Sequence, residues 1–180
     1  MEELVKQIEK ALDCNLYYLA LISTLVLPDI AGAISYSPKG SSNEEFYVKW
    51  FDKYVDDKTL TGKESYLFRN KIVHQGTSIV HGTPSFKKIA FVYTKMMTTE
   101  RQIVLHNLLD DLGGRGILYV DIDIFCDSVI RGIRKWLYEV ENTEQFQKNY
   151  SKFIKFHPDG SPEYTPNIPV IASARLDSYP

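Results

Sequence analysis

Thr61-Gly62-Lys63-Glu64-Ser65-Tyr66-Leu67-Phe68-Arg69-Asn70-Lys71-Ile72-Val73-His74-Gln75-Gly76 carries its own start and stop signals. Thr61 and Glu64 stand at the Thr-x-x-Glu spacing of a capping box, where each side chain satisfies an orphan amide at the other's position. Gly76 sits where helices close in a left-handed conformation. The stretch reads as one helix, with Arg69, Asn70 and His74 in its last two turns. At roughly 100° per residue, Asn70 and His74 share a face and Arg69 lies on its flank. A guanidinium can hold a phosphate while an imidazole moves a proton. That combination suits the cleavage of RNA.

Upstream, Leu4, Val5, Ile8, Ala11 and Leu12 repeat with the helical period, and Asn15 marks a break. Leu16 to Ile34 is apolar nearly all round, as a helix in the middle of a bundle is. Pro28 and Asp29 interrupt it well short of the roughly 20 apolar residues that a membrane span takes, so no span is expected. Pro28 kinks this helix or starts a new one, and Gly32 allows a neighbour to pack closely. Ser35 to Asn43 is a polar loop, with Ser42 or Asn43 as the next N-cap and Glu44-Glu45 at the helix's positive end. The third helix runs to about Val55, with Phe46, Trp50, Phe51 and Tyr54 on its buried side. The short connection that follows predicts that the Thr61–Gly76 helix packs antiparallel to it.

Downstream the pattern changes. Lys88 to Tyr93 and Gln102 to Leu108 are rich in Val, Ile, Phe and Tyr, and Ile117 to Ile124 alternates apolar with acidic residues. Gly82-Thr83-Pro84, Met97 to Glu100 and Gly113-Gly114-Arg115-Gly116 bound these runs as turns. A small antiparallel sheet is expected, with the glycine loop as one hairpin. The helical period returns from Asp121 or Asp123 to Asn142 through Phe125, Val129, Ile133, Trp136, Leu137 and Val140. Thr143 opens a last helix carrying Phe146, Tyr150, Phe153 and Phe156. The expected fold is mainly α, of the α+β class: one domain over 1–157, with helices over about 3–76, a β insertion over about 86–124 and helices over about 125–157. An extended tail is expected over 158–180.

Composition narrows the function. With 180 residues, 44% of them hydrophobic, the chain can bury a sizeable single core. A net charge of −2 argues against a large nucleic-acid-binding field, though a small basic cleft remains compatible. Cys14 and Cys126 stand far apart without companions at metal-ligand spacing, which points to buried structural thiols in a reducing, cytoplasmic setting. The acidic, amphipathic N-terminus is unlike a signal peptide.

Other chemistry-bearing residues read as structural. His81 follows His74 by seven residues with no carboxylate at ligand spacing. His106 falls in an expected strand beside Val104 and Leu108, and His157 reads as surface. Asp110-Asp111, Asp121, Asp123 and Asp127 suggest cation binding, but Asp121 and Asp123 alternate with Val120, Ile122 and Ile124 as the solvent face of a strand would. The glycine loop lacks the Gly-Lys-Ser/Thr ending of a phosphate loop. Lys87-Lys88, Arg131, Arg134 and Lys135 form modest basic patches, and Arg131 and Arg134 could line one groove. No metal or cofactor is expected.

Three stretches together carry a resemblance. Arg69-Asn70-Lys71-Ile72-Val73-His74 resembles the Arg-x(4–6)-His motif of HEPN domains, small helical domains found in many prokaryotic RNases and defence systems. Ala20 to Ile34, with Leu27-Pro28-Asp29-Ile30-Ala31-Gly32, and Tyr47 to Tyr54, with Trp50-Phe51-Asp52, are similar to stretches of small bacterial HEPN-like proteins. The likeness covers about the first eighty residues. It implies a HEPN-like bundle and a metal-independent endoribonuclease that binds RNA, acting in bacterial stress or phage defence as a homodimer whose motif faces meet. His74 would be general base or acid, Arg69 would bind the scissile phosphate, and Asn70 would hold the imidazole or orient the phosphate. The products would be a 2′,3′-cyclic phosphate and a 5′-hydroxyl. Some HEPN toxins carry a modified Tyr two residues after the motif His; Gly76 stands there, so that control is not expected. The alternative is a HEPN-like binding or scaffold protein without cleavage. A metal nuclease built on the downstream aspartates is the third reading. In an enzyme, Arg69→Ala and His74→Ala would each abolish cleavage at little cost to the fold.

Overall fold

Four helices fill the first half of the chain in the computed structural model, which describes residues 1–57, 60–80, 86–96, 103–114, 116–161 and 165–173. The first, α1 (Glu2–Asp13), ends just before Asn15, whose φ of 60° turns the chain. The second, α2 (Tyr17–Tyr36), runs through Pro28 as one element and packs against every other α-helix among the described residues. It is apolar nearly all round because most of its sides have neighbours, while Tyr18 and Leu19 near its start are exposed. By length and composition α2 could cross a membrane, but 61% of its most apolar window is buried inside the bundle. That is the pattern of a core helix in a soluble protein, with which the fold is compatible.

The third helix, α3 (Glu44–Tyr54), starts at Asn43, whose side-chain oxygen accepts the Phe46 N–H at 2.8 Å. Gly32 lets α3 approach α2: a Cβ there would lie 2.6 Å from the Phe46 carbonyl oxygen. The fourth, α4 (Gly62–Gln75), has both halves of the Thr61/Glu64 capping box and closes at Gly76 with φ 63°. It runs back along α3, with Gly62 against Val48 and Asp52 and the Ser65 hydroxyl 2.9 Å from that of Tyr47. The start, the stop and the packing of the motif helix all follow the sequence.

The sheet differs from expectation. It is mixed, in the order β1 (Lys88–Val92), β3 (Ile117–Asp121), β2 (Leu108–Asp110), with β1 parallel and β2 antiparallel to β3. A long connection separates β1 from β3, which is what parallel neighbours need. Central strand β3 has no solvent face: Ile117, Leu118, Val120 and Asp121 are all buried. Its apolar and acidic alternation is therefore not a half-exposed pattern, since both faces are covered. Strand β2 begins only at Leu108, so Ile103 to Asn107, including His106, lie outside the sheet. Gly113 and Gly114, with φ of 67° and 69°, make the expected turn between β2 and β3. Arg115, the Gly82-Thr83-Pro84 turn and Met97 to Glu100 lie outside the described residues.

Helix α5 (Ile122–Val140) leaves directly from β3 and packs Trp136 edge-on against Trp50, ring centroids 6.2 Å apart. The last helix, α6 (Glu144–Tyr150), is shorter than expected; Phe153 lies in a turn and Phe156 in a strand. Its Asn149 amide donates to the Ile34 and Ser37 carbonyls at 2.9 and 2.8 Å, satisfying the end of α2. Of the expected extended tail, residues 160–161, 165–166 and 170–173 form paired strands instead. Strand β4 (Lys155–His157) pairs antiparallel with β7 (Val170–Ser173), and β5 (Gly160–Ser161) pairs with β6 (Thr165–Pro166). Gly160, at φ 80°, supports that reversal, and His157 is half-buried rather than at the surface.

The close approach at Gly32 can be tested. Ala is the better helix former by about 1 kcal/mol, yet Gly32→Ala forces backbone atoms of α2 and α3 apart. Urea unfolding is expected to show a net loss of about 1–3 kcal/mol. A stabilised Gly32→Ala protein would contradict the contact.

Candidate functional site

Arg69, Asn70 and His74 come together near the carboxyl end of α4. Arg69 Nη1 donates to Asn70 Oδ1 at 2.6 Å and lies 3.5 Å from His74 Nε2. Guanidinium nitrogens cannot accept, so any hydrogen bond across this contact has Nε2 as its acceptor. His74 is exposed, whereas the Arg69 side chain is only 17% exposed and lies over the Tyr66 ring at 5.7 Å. Asn70 holds the guanidinium, which narrows the role expected for it: its oxygen does not orient the imidazole.

A fourth group completes the site. Asp29, from the middle of α2, forms an ion pair through Oδ2 with Arg69 Nη2. Its side chain is 7% exposed, and its Oδ1 accepts the Ser42 hydroxyl at 2.8 Å. Burial raises the Asp29 pKa above its ordinary value; the Ser42 hydroxyl, the Arg69 cation and His74 pull it only part of the way back. Arg69 Nε is buried with no hydrogen-bond partner. In the sequence, Asp29 stands out only as an interruption of an apolar run. The usable signal is physical: a carboxylate inside a helix that is apolar nearly all round must find a cation.

The pair also changes what Arg69 substitution means. Removing Arg69 strands a buried carboxylate, at a cost of up to about 3 kcal/mol. Arg69→Ala is therefore not the mild change for the fold that the sequence suggests. His74, exposed and off the core, is the clean position.

The other candidates are dispersed. Asp121, buried at 2% exposure, caps α5: its Oδ1 accepts the N–H groups of Asp123 and Ile124 at 3.0 and 3.3 Å, and its Oδ2 accepts the Thr94 N–H at 3.1 Å. This corrects the solvent-face expectation. Asp123 pairs with Lys95 and Asp127 with Arg131, while Asp110 accepts the Leu112 N–H at 3.0 Å. Among the described residues no three His, Cys, Asp or Glu side chains gather at a possible metal site. Arg131 and Arg134 part company, since Arg134 reaches Glu2 and Glu9 on α1. Lys87 donates to the Gly114 carbonyl at 2.7 Å. His106 is mostly buried, 4.0 Å from the Asp57 carboxylate, and His81 lies outside the described residues. Cys126 is buried, accepts the Thr24 hydroxyl at 3.3 Å, and burial pushes its thiol up to about 12. Cys14, against expectation, is exposed.

Compared with family models, curated proteins and solved structures, the chain matches none. Its function has to be argued from its own side chains.

Asp121 offers an acid-stability test. Burial raises its pKa, but the hydrogen bonds from Thr94, Ile124 and Asp123 outweigh that and leave it below 3.8. Such a group stabilises the fold fully above 3.8 and loses its contribution as pH falls through the lower folded value. Asp121→Ala is expected to cost about 1–3 kcal/mol at pH 7. The gap from wild type should narrow as the pH falls below 3.8. A gap that stays constant to strong acid would show that the charge contributes nothing.

Proposed function

We propose that the chain is a HEPN-like, metal-independent endoribonuclease. The observation that carries this reading is the convergence of an exposed imidazole and a guanidinium, 3.5 Å apart at one helix end. As general base His74 takes the proton of an RNA 2′-hydroxyl, and the 2′-oxygen attacks the adjacent phosphorus. The 5′-oxygen leaves and takes up a proton, which gives a 2′,3′-cyclic phosphate and a 5′-hydroxyl. Arg69 meets the negative charge that builds on the phosphate oxygens. Asn70 holds the guanidinium toward that charge. The proposed enzyme is bacterial and cytoplasmic, takes part in stress or phage defence, and works as a homodimer through the motif face. On α2, Leu19, Ile22 and Val26 form a partly exposed apolar stripe ending one turn before Asp29, which suits such a face.

One observation favours the second reading, a non-catalytic binding or scaffold protein. Arg69 is largely covered and already neutralised by Asp29, as an ordinary inter-helix ion pair would be.

Cleavage of end-labelled RNA in EDTA separates the two. The enzyme reading expects wild type to leave 2′,3′-cyclic phosphate ends, and His74→Ala to be slower by about 100-fold or more with its unfolding midpoint nearly unchanged. Absence of cleavage by the folded wild type across several RNAs would sink the enzyme and leave the scaffold.

A further inference from the structure

In the resting site the most favourable anion position is already taken. The Arg69 guanidinium has Asp29 on Nη2 and Asn70 and His74 on Nη1, while Nε, though buried, has no partner. A phosphate oxygen entering here meets the Asp29 carboxylate as a like charge beside the same cation. Two anions cannot both be fully compensated by one guanidinium in a partly desolvated pocket.

Resting on the ribonuclease reading, we propose that Asp29 is a competing anion built into the site: Arg69 takes the substrate phosphate only in exchange for the Asp29 carboxylate, and RNA binding is accompanied by proton uptake at Asp29. The groups that face Asp29 are few. From α4 come Arg69 and His74, from α3 the Tyr47 phenol, and from the loop before α3 the Ser42 hydroxyl. Tyr47 is fully buried and its pKa is raised, so it stays neutral. Burial already holds the Asp29 carboxyl above its ordinary range. An incoming phosphate favours the neutral form further, so by linkage RNA affinity increases as the pH falls toward that range.

The test measures binding of a 2′-O-methyl RNA, whose blocked 2′-oxygen cannot attack, by fluorescence anisotropy at fixed salt between pH 8 and pH 5. His74→Ala removes the imidazole, so that Asp29 is read without it. This protein is expected to bind about tenfold tighter at pH 5 than at pH 8. Adding Asp29→Asn should tighten binding at pH 8 by a similar factor and flatten the pH dependence. Should Asp29→Asn fail to fold, Ser42→Ala in the same background decides, because Ser42 is exposed and its loss removes a donor to the charged carboxylate. Tightening should then begin at higher pH. A flat profile in His74→Ala, an unchanged profile after either further substitution, or weaker binding by folded Asp29→Asn would overturn the exchange. If wild type still cleaves RNA in EDTA, only the exchange falls. If it neither cleaves nor binds RNA, the ribonuclease reading falls with it.

Discussion

The ion pair between Asp29 and Arg69 is the contact on which the candidate site depends. It joins the central helix to the motif helix through charges that are both mostly withdrawn from water. Such a pair is expensive to desolvate and contributes only when its geometry and its remaining hydrogen bonds are good. Ser42 supplies one of those bonds to the carboxylate and Asn70 one to the guanidinium. The pair therefore specifies where the last turns of α4 sit, and His74 with them. Two contacts near the other end of α4 assist: Asp52 accepts the Gly62 N–H at 2.6 Å, and the Tyr47 and Ser65 hydroxyls meet across the helices.

Charged groups elsewhere hold the frame rather than form a second site. Asp121 joins β3 to α5 by capping the helix at the point where the strand ends. Asn149 closes the carbonyl end of α2, and the Trp136 indole N–H donates to Ser35 at 2.7 Å beside it. These polar groups answer orphan backbone or side-chain groups, which is the usual condition for burying them; Trp50 Nε1 and Ser128 Oγ, also buried, have no hydrogen-bond partner among the described residues. At Arg69 the buried donor without a partner belongs to a side chain that also reaches the exposed His74 ring.

The helical half of the fold was legible because its signals are local. The Thr61/Glu64 box, Gly76, Asn43 and Asn15 act within a few residues, and Gly32 carried the close approach of α3. The sheet was less legible because strand order and direction depend on contacts between distant segments. Val120 alternating with Asp121 and Asp123 looks half-exposed in sequence; only the packing on both faces of β3 and the start of α5 turn Asp121 into a buried cap. The fold-back after Pro158 was hidden for the same reason, since β4 finds β7 across more than ten intervening residues. In the site, Arg69, Asn70 and His74 were readable from helical spacing. Asp29 was not, because nothing local says which cation a buried carboxylate will meet.

A double-mutant cycle between Asp29→Asn and Arg69→Met, read by urea unfolding of the full chain, addresses the central contact most directly. If the buried pair organises the junction of α2 and α4, the two substitutions are coupled by about 1.5 kcal/mol or more, and the double variant is more stable than the sum of the single losses implies. Additive losses, with coupling near zero, would mean that the two charges do not meet in solution and that the site lacks its anchor.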